Sequence, residues 1–252
     1  MSERSQTVIC AAVRRDGESS RSAARILCAS PNAEMMDYAA ARLNMVESQV
    51  RPNRVTDPRI VLAMLELPRE KFLPEPLRGV AYVDEDIHVG NGRYLTEPMV
   101  LARLVQAAAI HETDTVLEIG TATGYGAAVL SRLAEKVIAL DPDPTLLKRA
   151  NENFNELGVK NVTTVEGPLA EGCARHAPYN AIIFSGGVEH VPRAIIDQLA
   201  EGGRLLAVVG PPGEASRATL TSRIGGVIST RAIFDAASPT LPGLKLDQGF
   251  VF

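Results

Sequence analysis

The segment Val116–Gly124, with the sequence V-L-E-I-G-T-A-T-G, carries the clearest sign of a ligand site. Its apolar start is typical of a buried strand, and Gly120 and Gly124 frame a turn that a helical pattern follows. Glycine lets a backbone approach a ligand closely, and a helix N-terminus presents free N–H groups to a carboxylate or phosphate. The carboxylate of Glu118, two residues before the first glycine, suits a ligand that carries a cationic amino group.

Asp141 is a second acid, placed where a nucleoside would need one. It follows the next predicted strand, 21 residues beyond Gly120, and an acid at that spacing accepts ribose hydroxyls in dinucleotide-binding folds. Ala122 stands where the fingerprint G-x-G-x-x-G has its second glycine, so a pyrophosphate would be crowded. We therefore predict S-adenosyl-L-methionine, a nucleoside that ends in an amino acid, although the spacing alone does not separate it from NAD. The alternative is a tight turn with two surface acids.

Glu166, after the third predicted strand, is the most distant candidate. An adenine-contacting residue would lie near this position, and an exposed loop glutamate is an equal alternative. The complete set of predicted cofactor contacts is Glu118, Gly120, Thr121, Thr123, Gly124, Asp141 and Glu166.

The elements that position these residues alternate between short apolar runs and helical patterns. This alternation predicts a doubly wound, mostly parallel, Rossmann-like α/β sheet covered on both faces. The predicted strands are Thr115–Ile119, Val137–Leu140, Val162–Val165, Ala181–Phe184 and Arg204–Val209, and the helices between them are Tyr125–Ala134, Pro144–Leu157 and Pro192–Leu199. A late hairpin around Gly225 and Gly226 predicts an antiparallel C-terminal edge.

The sequence before the predicted sheet has the spacing of apolar residues that is typical of helices. Apolar spacing predicts at least two helices between Tyr38 and Met64, the second starting near Asp57 and Pro58, and another helix from Glu97 to Ala109. We expect residues 1–34 to be a disordered or extension segment and 35–252 to be one domain. That domain divides into a helical subregion with a substrate loop (35–110) and a cofactor-binding core (111–252).

The composition is that of an ordinary soluble protein. The 252 residues are 46% hydrophobic, and the net charge of −4 argues against general nucleic-acid binding. No apolar run reaches the roughly 18 residues that span a bilayer. Three cysteines without a C-x-x-C pair and four histidines without ligand spacing predict reduced thiols and no metal site. We expect a cytoplasmic protein without nucleic-acid or membrane partners, and the sequence leaves its oligomeric state open.

Several motifs in a fixed order resemble the protein-L-isoaspartate O-methyltransferases. The resemblance covers about Arg42 to Ile233, and it rests on the glycine loop and on the segments L-P-R-E-K-F from Leu67, A-Y-V-D from Ala81, G-N-G-R-Y-L-T-E-P from Gly90 and L-A-E-G-G from Leu199. It implies methyl transfer from S-adenosyl-L-methionine to the carboxylate of L-isoaspartyl residues, a protein-repair reaction. Isoaspartyl proteins or peptides are then the partners.

The departures from the family pattern concern the acceptor. Where the family loop reads Gln-Thr-Ile-Ser, this chain has Arg93, Tyr94, Leu95 and Thr96. Thr96 falls on the serine that the family places beside the transferred methyl, so it is the candidate catalytic residue, and the alternative is a helix N-cap. The other three are candidate substrate-binding residues. Arg93 pairs with a substrate carboxylate or is a solvated loop arginine.

The C-terminus also departs from the family. The R-F-V-P-L segment, which helps the family to hold the isoaspartyl peptide, is not recognisable here, and Pro168 replaces the aspartate of the family's G-D-G segment. A related methyltransferase with another carboxylate or small-molecule acceptor, or a non-catalytic cofactor-binding protein, therefore stays open.

Overall fold

The computed structural model describes residues 37–211 and 214–245, and its first part is helical as predicted. Helix α1 (Tyr38–Met45) follows Asp37, whose carboxylate caps its first turn. A π-helical turn (Val46–Val50) and a 3-10 turn (Arg51–Asn53) continue it. Helix α2 (Pro58–Glu66) begins at Asp57, as expected from an acid followed by proline. The predicted extension 1–34 lies outside the described residues.

A small hairpin follows two 3-10 segments, Arg69–Phe72 and Glu75–Val80. Its strands are β1 (Ile87–Gly90) and β2 (Arg93–Leu95), and helix α3 (Pro98–Ala107) comes next. The turn residue Asn91 has a left-handed backbone, with φ 49°. This hairpin is the predicted substrate loop with its short extended pieces.

Seven further strands form the central sheet, with the order β5-β4-β3-β6-β7-β8-β9. The first five are parallel and the last two antiparallel, as predicted. Their bounds are β3 (Thr115–Ile119), β4 (Lys136–Asp141), β5 (Val162–Glu166), β6 (Tyr179–Val188), β7 (Leu199–Val209), β8 (Arg217–Ile224) and β9 (Val227–Asp235).

Three helices connect the strands: α4 (Tyr125–Ser131), α5 (Pro144–Glu156) and α6 (Arg193–Ile196). The predicted helix Pro192–Leu199 is shorter than expected because the chain turns into β7 at Leu199, which pairs with Tyr179 of β6. Within the described ranges, no helix has the length and apolar character needed to cross a bilayer.

The core occupies both faces of the sheet, because the parallel strands are apolar on both sides. Val116 of β3 belongs to the cluster formed with α1 to α4, while its neighbour Leu117 belongs to the cluster on the opposite face. Leu241 and Leu244 join this second cluster from the segment 238–245, here called the C-terminal strap. The strap is hydrogen-bonded to the end of β6 through the backbone of Gly187.

Candidate cofactor and acceptor site

The predicted glycine loop joins the end of β3 to the start of α4 and lies against β4. The backbone N–H of Gly120 donates to the Leu140 carbonyl at 2.8 Å. Gly120 and Gly124 have φ of 87° and 95°, a region that favours glycine. A Cβ on Gly124 would lie 2.6 Å from the ring of Phe154, so this glycine is also required by packing against α5.

Glu118 is fully buried at the carboxyl end of β3. Its Oε1 accepts a hydrogen bond of 2.5 Å from the Ser185 hydroxyl, and its Oε2 is buried without a hydrogen-bond partner in the described part of the chain. Burial raises the pKa of this carboxyl, and the Ser185 hydrogen bond opposes the rise. A buried carboxylate with one open oxygen is suited to a cationic amino group, which would satisfy both its charge and its lone pairs.

Glu118 borders a small polar cavity between the glycine loop and the hairpin. Its free space is about 10 Å³, which is room for roughly one water molecule. The Thr121 and Tyr125 hydroxyls are buried there without partners among the residues described. The residues lining this cavity are Tyr94, Leu95, Thr96, Leu101, Glu118, Gly120, Thr121, Tyr125, Gly126 and Ser185. The sequence-predicted acceptor loop and cofactor loop therefore do meet.

Asp141 is fully buried at the end of β4. Its Oδ2 accepts from the Arg93 guanidinium at 2.9 Å and from the Ala122 backbone at 2.8 Å, and its Oδ1 accepts from the Asp143 backbone at 3.2 Å. Burial raises the pKa of Asp141, while the Arg93 charge opposes that rise. Arg93 is only 2% exposed, so the expectation of a solvated loop arginine is wrong. The nearby carboxylate draws this side chain inward.

Two side chains cover Gly120 from above. A Cβ on that residue would lie 2.6 Å from Nη2 of Arg93 and 3.1 Å from Cδ2 of Leu241. The hairpin is also tied to the start of α5, because the Asn91 amide donates to the Asp143 carboxylate. The hairpin and the C-terminal strap thus both lie against the start of the glycine loop.

Thr96 is buried at the end of the hairpin, and its carbonyl accepts from Arg69 at 2.8 Å. The expected N-cap role of Thr96 is wrong, because Pro98 occupies the first position of α3 and the cap therefore falls on Glu97. Of the other loop residues, Tyr94 packs edge-on against His88 at 5.1 Å, and Leu95 pairs with Ile87 in the hairpin.

The remaining cofactor candidates, Thr123 and Glu166, do not line this cavity. Thr123 is buried, with its hydroxyl unpaired within the described ranges and its carbonyl bound by Asn153 at 3.0 Å. Glu166 is exposed at the end of the edge strand β5 and faces a separate open groove of about 570 Å³ beside α5. The structure does not bring Glu166 into the small cavity, so its contact with adenine stays a prediction.

Two supporting residues were missed from the sequence. Arg69 is fully buried, donates to the carbonyls of Ala81 and Thr96, and lies 4.8 Å from the centre of the Tyr125 ring. It thereby fixes the acceptor loop against α4. Ser185, the partner of Glu118, stands directly after the predicted strand Ala181–Phe184, at the sheet edge where ligands of parallel sheets bind. Its position was a usable signal.

A negative region lies beside Thr96. Burial raises the pKa of Glu97 to about 7, and the carboxylates of Asp86, Asp84 and Glu85 add to the rise. Asp86 also accepts from the Glu97 backbone at 3.0 Å. In the described part of the chain, no group of three or more histidine, cysteine or acidic residues is placed to hold a metal ion.

Comparisons with known proteins agree with the motifs. The sequence profile of the protein-L-isoaspartate(D-aspartate) O-methyltransferases matches residues 41–235. The chain is 39% identical over 186 residues to the protein-L-isoaspartate O-methyltransferase of Methanoculleus marisnigri, which covers 74% of this chain and 84% of that relative. It is 37% identical over 188 residues to the protein of that name in Gloeobacter violaceus, which covers 74% of this chain and 92% of the relative.

Solved structures show the same likeness. A protein-L-isoaspartate O-methyltransferase with 27% identity superposes with a TM-score of 0.70, covering 82% of this chain and 67% of that one. A Plasmodium falciparum chain in complex with S-adenosyl-L-homocysteine gives 0.69 at 17% identity, covering 81% and 97%, and supports the fold alone. The predicted extent of the resemblance, Arg42 to Ile233, agrees with the matched range.

Proposed function

Because the chain belongs to the protein-L-isoaspartate(D-aspartate) O-methyltransferase family, we propose that it transfers a methyl group from S-adenosyl-L-methionine to the free carboxylate of L-isoaspartyl residues in damaged proteins. The observation that carries the proposal is the pair of fully buried acids, Glu118 and Asp141, at adjacent carboxyl ends of the parallel sheet. The NAD alternative is less well supported, since Ala122 crowds the pyrophosphate position and the relatives are methyltransferases.

The buried polar groups fit this cofactor. Glu118 would accept from the amino group of the methionine end at its open oxygen, and Asp141 would accept from the ribose hydroxyls. Gly120 and Gly124 shape the loop between them, and the unpaired hydroxyls of Thr121 and Thr123 are further donors. Glu166 is assigned to the adenine end. When bound, the cofactor supplies a methyl group activated by its sulfonium.

The acceptor end needs orientation more than acid–base chemistry. A carboxylate with a reference pKa of about 4 is already ionised at neutral pH, so no general base is required. Thr96 would donate a hydrogen bond that directs one oxygen of this carboxylate, and Tyr94 and Leu95 would form the apolar wall. The hairpin that carries them excludes water from the transfer, which strengthens the polar contacts inside.

A second acceptor class has a specific observation in its favour. Arg93 is a buried guanidinium where the hairpin meets the glycine loop, and a guanidinium pairs with a carboxylate on an isoaspartyl peptide or on another acceptor alike. A related carboxylate methyltransferase is therefore the second candidate.

The proposal also covers the domain organisation, the compartment and the partners of the enzyme. Residues 35–252 would act as one catalytic domain, with the acceptor loop in 35–110 and the cofactor core in 111–252, and residues 1–34 as an extension. We place the enzyme in the cytoplasm, with isoaspartyl proteins as its partners. A buried free thiol at Cys173 is compatible with a reducing compartment.

Labelled methyl transfer tests the function directly. The full chain is incubated with methyl-labelled cofactor and either an isoaspartyl peptide or the same peptide with normal aspartate. We expect base-labile label on the isoaspartyl peptide only. Calorimetry with S-adenosylhomocysteine tests the cofactor site separately, and Asp141→Ala should lose most of its affinity. Cofactor binding without label on either peptide would favour the second candidate.

Thr96 is tested by a matched pair of variants. Thr96→Ser keeps the hydroxyl and should keep methyl transfer, whereas Thr96→Ala should bind S-adenosylhomocysteine normally and lose transfer about 10²-fold, a typical loss for a positioning donor. Unchanged turnover in Thr96→Ala would remove the catalytic assignment.

A further inference from the structure

The Arg93 guanidinium lies directly on the cofactor loop. Its Nη2 is so near Gly120 that a Cβ added there would lie 2.6 Å away. The same atom donates to Oδ2 of Asp141 at 2.9 Å, and both side chains are at most 2% exposed. A charge in this position fills the space above the loop and holds the carboxylate that ends β4.

Asp141 cannot offer both of its oxygens to a ribose while it holds this guanidinium. Its Oδ2 already accepts from Arg93 and from the Ala122 backbone, and its Oδ1 accepts from the Asp143 backbone. Two oxygens offer about four acceptor positions, so one remains, on Oδ1. A ribose diol that binds both oxygens must displace one of the two donors on Oδ2, and Arg93 is the one on a side chain, because the other is the Ala122 backbone N–H of the glycine loop.

Arg93 also carries N–H donors that are not used in its contact with Asp141. Its Nε and Nη1 are buried and have no hydrogen-bond partner within the part of the chain that the structure describes. Buried donors without partners cost free energy, so an anion that satisfies them gains affinity. Because Arg93 belongs to β2, which is paired with β1, its side chain remains attached to the hairpin that also carries the acceptor-loop residues when it leaves Asp141.

We propose that Arg93 is a conditional acceptor anchor, which pairs with Asp141 in the free enzyme and is released by cofactor binding to bind the acceptor carboxylate. This inference rests on the proposed function. It predicts an order of binding, cofactor first and acceptor second. It also aids product release, because methylation turns the carboxylate into a neutral ester that no longer forms an ion pair with the guanidinium.

Calorimetry on the full chain separates the two roles of Arg93. The wild type should bind S-adenosylhomocysteine, and it should bind an isoaspartyl peptide at least tenfold more tightly with that compound present than without it. Arg93→Gln removes the competitor for Asp141. We therefore expect it to bind S-adenosylhomocysteine severalfold more tightly, while its KM for the acceptor rises at least tenfold.

Asn91→Gly is the matched control for loosening of the hairpin. It removes the side-chain contact with Asp143, and its left-handed backbone suits glycine. We expect it to change the acceptor KM by less than threefold. If Arg93→Gln weakens S-adenosylhomocysteine binding, or if the peptide binds the free wild type equally well, the conditional anchor is refuted while the proposed function stands. If the wild type does not bind S-adenosylhomocysteine, both fail.

Discussion

The effect of Gly126→Ala on stability should depend on residue 118. We expect the substitution to destabilise the wild type, which has Glu118, and to stabilise a variant with alanine at that position. Gly126 lies in the first turn of α4, and a Cβ there would lie 1.9 Å from Oε1 of Glu118 and 3.1 Å from the Ser185 hydroxyl. A normal contact begins near 3.4 Å, so the carboxylate must shift by about 1.5 Å. That shift breaks its 2.5 Å hydrogen bond with Ser185.

The magnitude follows from two opposing terms. A hydrogen bond to a charged group contributes about 1.5–3 kcal/mol, and replacing glycine with alanine inside a helix stabilises by about 1 kcal/mol. Gly126→Ala should therefore lower the free energy of unfolding by about 0.5–2 kcal/mol in the wild type. In a Glu118→Ala background the clash with the carboxylate is gone, and the 3.1 Å approach to the Ser185 hydroxyl is relieved by a shift of a few tenths of an ångström. The same substitution should then stabilise by up to about 1 kcal/mol. Glu118→Gln keeps the clash and is the matched control.

Urea unfolding of the single and double variants measures the coupling, and calorimetry measures the cofactor site. Because Glu118 is the proposed partner of the amino group, its displacement should reduce the affinity for S-adenosylhomocysteine about tenfold or more. Equal stabilisation by Gly126→Ala in the wild type and in the Glu118→Ala background would refute the reasoning. Glu118 would then not be held between Ser185 and α4.

Three other perturbations test the surroundings of the site. Ionisation of Glu97, whose pKa burial and Asp86 raise to about 7 from 4.5, should cost the folded state stability as pH rises through that interval. Allowing for solvent screening of this charge, Glu97→Gln should be about 1 kcal/mol more stable than the wild type at pH 8 and equally stable at pH 4. Urea unfolding measures both, and the same difference at the two pH values would contradict the prediction. Leu241→Ala should lose about 2–4 kcal/mol and, by uncovering Gly120, bind S-adenosylhomocysteine faster in stopped-flow mixing; an unchanged association rate argues against the strap as a cover. Arg204→Ala should lose about 2–3 kcal/mol, since this side chain donates to three carbonyls and a carboxylate, yet calorimetry should give wild-type affinity; weaker binding would mean that the site depends on it.

The sheet was predictable because its signals are local. Strand β3 begins and ends at the predicted residues, Thr115 and Ile119, since a short segment with three aliphatic side chains followed by a glycine turn has few other solutions. Two predictions of element boundaries were wrong, because in each case a nearby residue or strand pairing overrode a local sequence rule. Proline at the first position of α3 moved the cap from Thr96 to Glu97, and the pairing of Leu199 with Tyr179 shortened α6.

The candidate site was predictable only in part. Each acid could be identified from its own position in the sequence, but its hydrogen-bond partner could not. Glu118 and Asp141 could be identified because each lies at or near the carboxyl end of a predicted strand. Ser185 reaches Glu118 across 67 residues and Arg93 reaches Asp141 across 48, distances that no periodic pattern encodes. Leu241 lies beyond residue 235, where the family profile ends, and the sequence gave no signal of its place above Gly120.

The closure of the crevice follows from the charges it contains. Two carboxylates buried beside each other cost much desolvation energy, and burial raises the pKa of both Glu118 and Asp141. Arg93 neutralises the second acid, while Oε2 of the first stays open. A ligand with a cationic amino group and a ribose would give Glu118 a counter-charge and Asp141 two hydroxyl donors, so each acid keeps a partner when the guanidinium leaves. The same electrostatics that close the free site therefore favour its opening by one class of ligand, and they leave the displaced guanidinium in need of an anion.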